Sequence, residues 1–119
     1  MASAVAVVEQ YQRAFGTGDV QTARSLLADN LRFEGPIDEF DTADVYMQSV
    51  AKLHQIVEGI DAKKILADDT DVVTIYDMQT NTPAGTSKIA EWATVENGKI
   101  IAIRVFFDAR PFAPMFERH

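Results

Sequence analysis

The alternation of apolar and polar residues is clearest late in the chain. In the stretch SKIAEWATV, residues 87–95, Ser87, Ile89, Glu91, Ala93 and Val95 fall on one face of a strand, and Lys88, Ala90, Trp92 and Thr94 on the other. The first face reads as a core face that contains one acid. Period-two patterns also predict strands at 31–34, 63–67, 72–79 and 99–108. Glu96-Asn97-Gly98 joins the last two strands, and Asn-Gly is the strongest short hairpin signal. Helical spacing governs the first half of the chain. Residues 2–16 carry Val5, Val8, Tyr11, Gln12 and Phe15 on one stripe, and Gly16 to Gly18 end the helix. Asp19 caps a second helix, VQTARSLLA, at 20–28. Gly35-Pro36 breaks the short strand that follows. A third helix runs from Asp41 or Thr42 to about Glu58, where Gly59 stops it.

Helices first and antiparallel strands afterwards make an α+β chain, with the helices on one face of a curved sheet. The 119 residues suit a single domain, 1–119, with one sizeable core. The chain has no cysteine, which removes disulfides, thiolate metal sites and cysteine nucleophiles, and fits a cytoplasmic location. A net charge of −7 opposes nucleic-acid binding. No apolar run reaches membrane-spanning length. The opening residues lack the basic and apolar regions of a signal peptide. No histidine cluster, glycine-rich phosphate loop or serine-nucleophile motif is present, so neither metal nor cofactor is expected.

Two stretches carry a resemblance. YQRAFGTGDVQTARSLLADNLRFEGP resembles the opening of the nuclear transport factor 2-like superfamily, and WATVENGKIIAIRVFFDARPF resembles the closing hairpin of its SnoaL-like branch. The resemblance implies a cone, in which a bent sheet wraps helices and leaves an apolar pocket. Its relatives include ketosteroid isomerases, polyketide cyclases, epoxide hydrolases and non-enzymatic binding or dimerising modules. Fold therefore does not settle activity. Matched position by position, Tyr11 falls where the isomerases place an oxyanion-donating tyrosine, and Glu91 where they place a protonated acid. Their general base falls on Gly35, which cannot take a proton. The final-strand aspartate of the epoxide hydrolases falls on Val105.

The candidate catalytic residues are Glu91, Tyr11 as its hydrogen-bond partner, and His54 as a second acid–base group. Burial of the Glu91 face would raise its pKa. The alternative for Glu91 is a salt-bridged acid near a sheet edge. The alternative for His54 is a histidine bonded to backbone. A His54–Glu91 or His54–Asp77 pair would be the natural acid–base arrangement. The resemblance points Thr74, Tyr76 and Met78 inward and Asp77 outward; a one-residue slip would exchange them. Asp108 stands either at the pocket mouth or as a cap for Arg110. Phe15, Phe33, Met47, Val50, Tyr76, Met78, Ile89, Ile103, Val105 and Phe107 are the expected pocket wall. Trp92, Arg104 and Phe106 share the opposite sheet face with an interface-like composition. The expected partners are a small apolar molecule and a second copy of the chain. Two functions stay open: a cofactor-independent enzyme working by proton transfer, and a non-catalytic binding or dimerising module.

Overall fold

The computed structural model describes residues 3–113. Helix α1 spans Ala4–Thr17, and the expected start at residue 2 lies outside the described residues. Ser3 caps it by accepting the Ala6 N–H at 3.1 Å, and Gly18 closes it at φ 76°, a conformation that glycine adopts without strain. Asp19 accepts the Thr22 N–H at 3.2 Å and starts α2, Val20–Ser25. Strands β1 (Leu27–Glu34) and β2 (Glu39–Phe40) precede α3 (Ala43–His54). Strands β3 (Val57–Ala67), β4 (Asp71–Thr80), β5 (Thr86–Glu96) and β6 (Lys99–Phe106) follow, and Arg110–Phe112 form a 3-10 turn. Among the described residues no helix is long and apolar enough to cross a membrane.

Six strands make one sheet in the order β2-β1-β6-β5-β4-β3. All neighbours are antiparallel except β1 and β6, which run parallel. Asn97 and Gly98 turn the β5–β6 hairpin at φ 52° and 75°. Register shifts interrupt β1–β6, β3–β4 and β5–β6. Such bulges bend strands, and here they curve the sheet around the helices. The architecture is the α+β cone expected from the sequence.

The core fills the space between α1, α3 and the concave face. Val8, Leu27, Leu31, Val72, Ile100 and Ile103 are almost completely buried. A smaller cluster of Met78, Ile89 and Phe112 sits apart from it.

Several boundaries differ from the sequence pattern. α2 ends at Ser25, because Leu27 leaves the helix to pair with Ile100 on β6. α3 ends at His54, because Val57 is already paired with Thr80 and Gly59 with Gln79 in β3. The shift in β5–β6 places Val95 opposite Ile100 and Thr94 opposite Ala102. Ile100 is therefore the buried inward residue at this end of β6, and Ile101 is only half-buried.

Candidate active-site cavity

The sheet and helices form a cavity of about 1240 Å³ that is open to solvent at one end. Glu91 projects into it from the middle of β5, flanked along its strand by buried Ile89 and Ala93. Across the sheet Glu91 lies opposite Thr74 on β4 and Val105 on β6. The inward face of SKIAEWATV is thus the one with the acid, and Trp92 lies outside.

Tyr76 donates its hydroxyl to Glu91 Oε1 at 3.4 Å. Gln12 comes down from α1, donates to Thr74 Oγ1 at 3.0 Å, and also stabilises the Glu91 carboxylate. Burial nevertheless dominates, and the Glu91 carboxyl is raised above its ordinary range. Next to this group, the Tyr11 and Tyr46 hydroxyls are 2.9 Å apart and joined by a hydrogen bond. Both rings are buried. Burial first, and the Glu91 charge among the further causes, push the Tyr11, Tyr46 and Tyr76 hydroxyls up, so all three keep their protons. The deep end of the cavity thus presents one carboxyl and three phenols. No cation hydrogen-bonds to the Glu91 carboxylate among the described residues, so it is not the salt-bridged edge acid of the alternative reading.

The partner of Glu91 is Tyr76, where the sequence pointed to Tyr11. The Tyr11 hydroxyl is taken by Tyr46, which α3 brings against α1. His54 ends α3 at the exposed rim, its ring edge-on to Phe15 with centroids 5.4 Å apart. It is not joined to Glu91. Asp77 lies on the outer face, 3.9 Å from the Lys63 ammonium, so a His54–Asp77 pair is ruled out. The β4 register points Thr74, Tyr76 and Met78 into the cavity. Phe15, Phe33, Val50, Ile89, Val105 and Phe107 line it too. Met47 and Ile103 do not. Ile103 pairs with Ala93 and is wholly buried in the main core, and Met47 packs against the same core. Asp108 caps the Arg110 N–H at 3.0 Å and pairs with its guanidinium.

Gln12, Tyr46 and Phe112 are cavity residues that the sequence reading did not single out as functional. Gln12 had left a signal, a polar side chain within the buried stripe of α1. Among the described residues no group of three His, Asp or Glu is placed to hold a metal ion.

The SnoaL-like domain model matches residues 8–103. The chain belongs to the SnoaL-like family. A Kribbella flavida protein of known structure is similar to this SnoaL-like chain at 27% identity, with a TM-score of 0.87 over 96% of this chain and 93% of that one. An NTF2-like protein of unknown function from Cytophaga hutchinsonii is similar at 25% identity and a TM-score of 0.82, covering 98% and 97%. An LEH-like epoxide hydrolase from M. tuberculosis shares the fold at 20% identity and a TM-score of 0.75, covering 93% and 86%. No curated protein matches the chain.

In this SnoaL-like chain, the two positions matched to acids of the isomerases and hydrolases lie so close that a side chain on Gly35 would collide with Val105. A Cβ on Gly35 would lie 2.9 Å from Val105 Cγ2 and 3.3 Å from the Phe33 ring. That part of the wall is closed and apolar. Gly35→Ala is expected to cost about 1–3 kcal/mol by overpacking, since a β-branched valine has little rotameric freedom to retreat. Urea unfolding measures it. The Gly35→Ala/Val105→Ala pair should lose less than the sum of its parts, and strict additivity would disprove the contact.

Proposed function

We propose that this SnoaL-like protein is a cofactor-independent enzyme that moves a proton on a small apolar molecule, with Glu91 as the acid–base group. The observation that carries this reading is a carboxyl set into an apolar cavity, raised by burial and held in place by Tyr76. A group that exchanges its proton nearer neutral pH serves as acid or base with little driving-force penalty. In the protonated state Glu91 donates to a ligand oxygen. As carboxylate it takes a proton from carbon. With no second acid at Gly35 or Val105, one carboxyl takes the proton from one atom and returns it to another on the same ligand face. Within the Tyr11–Tyr46 pair one hydroxyl donates to the other, and the accepting hydroxyl keeps its own hydrogen free for a ligand oxygen. His54 at the rim is left with a role at the entrance.

The lack of room for a side chain at Gly35 beside Val105 favours a second reading, a non-catalytic ligand-binding module. In both readings the outer sheet face, with Trp92, Arg104 and Phe106, joins two copies.

Carboxyl-carbon NMR titration tests the first reading. Glu91 is expected to titrate above the model-peptide value of about 4.3. Tyr76→Phe should move it further up, because it removes a donor that favours the carboxylate. An ordinary value, indifferent to Tyr76, would end the proton-transfer reading.

A further inference from the structure

We infer that Phe112 is the wall that sets how long a ligand the cavity accepts, and that the Asp108–Arg110 pair positions it. The inference rests on the cavity being a ligand site, as proposed above. The polar end is fixed by the row Thr74–Glu91–Val105. Two residues along β5, Ile89 faces Tyr76; two further on, Ser87 faces Met78. At strand rise these rows lie about 7 and 13 Å from the Glu91 row. Phe112 packs there, clustered with Ile89 and Met78, its ring edge-on to Phe107 with centroids 5.6 Å apart.

Phe112 does not belong to the sheet. The chain leaves β6 at Phe106, turns at Asp108 and returns Phe112 to the cavity, where it is 5% exposed. The Arg110 Nε donates to both Asp108 oxygens at 2.9 and 3.1 Å, and its Nη2 donates to Oδ2 at 2.7 Å. Arg110 also donates its backbone N–H to Asp108 at 3.0 Å, and Phe112 donates its own to the Ala109 carbonyl at 3.0 Å. Pro111 fixes φ between them. The arginine holds the Asp108 carboxyl down at about 2, so the pair is charged at any ordinary pH. It is solvent-exposed, and exposed pairs stabilise little. Its effect is on shape, since Phe112 is the one buried residue of the turn. The ligand class that fits is a neutral apolar molecule about 10 Å long, between those rows, with a hydrogen-bonding oxygen at its leading end.

The test uses methyl ketones of increasing chain length that displace an apolar fluorescent probe. In the wild type, affinity should rise about fourfold per methylene and stop rising where the tail meets Phe112. Phe112→Ala should shift that break to longer chains, with Phe112→Leu intermediate and safer for folding. Arg110→Gln should blur the break, leaving short-ketone affinity within about twofold, below the effect of one methylene. If the Phe112 variants change all affinities by one factor, or none, Phe112 is not the length wall, although the cavity remains a ligand site. If neither probe nor ketone binds the wild type or any variant, both the inference and the ligand-site reading fall.

Discussion

Glu91→Gln is expected to lower turnover by about 10²–10⁴-fold while apolar-ligand affinity changes only a few-fold. Glutamine keeps the size of the side chain and an oxygen to accept from Tyr76, but it cannot exchange a proton. Steady-state kinetics beside probe-displacement titration separate the two quantities. Retained turnover would remove Glu91 from the chemistry. No turnover by the wild type, with ligand binding intact, would favour the binding module. The same variant carries a stability signature. The folded chain holds the Glu91 proton to higher pH than the unfolded chain does. Its contribution is therefore most favourable below the unfolded carboxyl range and is lost as pH rises through the folded value. Glu91→Gln should gain in Tm relative to wild type on going from about pH 4 to about pH 8. A constant difference would contradict the buried, raised carboxyl.

Phe106→Lys is expected to convert the proposed dimer into monomers without unfolding the chain. The convex face carries two cross-strand rows, Lys64–Ile75–Ala90–Phe106 and Leu66–Val73–Trp92–Arg104. Phe106 is 57% exposed, so the fold depends little on it. The second row is prearranged. The Arg104 guanidinium lies 4.0 Å from the Trp92 ring centre, and Trp92 donates to Asp71 Oδ1 at 2.8 Å. A rigid aromatic and arginine surface loses little entropy on association and is the usual composition of an energetic hot spot. Losing such an anchor weakens association at least about thirty-fold. Sedimentation equilibrium reads this directly, and thermal unfolding of the variant monitors the fold. A wild type that sediments as a monomer at every concentration would reject the interface.

The inward face of 87–95 was legible because strand alternation needs no partner to be read. Glu91 follows from that periodicity, whereas the inward turn of Tyr76 and the gap at Gly35 were legible only through the family resemblance. Other features depended on what lies across space. Leu26, Leu27 and Ala28 continue the helical pattern of α2, and only Ile100 on a distant strand draws Leu27 out of it. Gly59 looked like a helix stop, yet β4 had already recruited Val57. Tyr11 stands where expected, and its hydroxyl is claimed by Tyr46, a pairing set by how α1 meets α3. Phe112 follows the last strand with no periodic pattern to mark it. Its burial is a property of the turn at Asp108.

The parallel contact of β1 with β6 has a kinetic side. Leu27 pairs with Ile100, so two strands about seventy residues apart in sequence must meet before the sheet is continuous, a pattern that slows folding. During synthesis, β1 emerges long before its partner exists. Its Leu31, wholly buried at the end, has meanwhile only the helices for cover. The cavity end that holds Glu91 is bounded by β6 as well, through Val105. The chain therefore cannot assemble its candidate site in stages, and a product truncated before residue 99 should have neither a continuous sheet nor a place to bind a ligand.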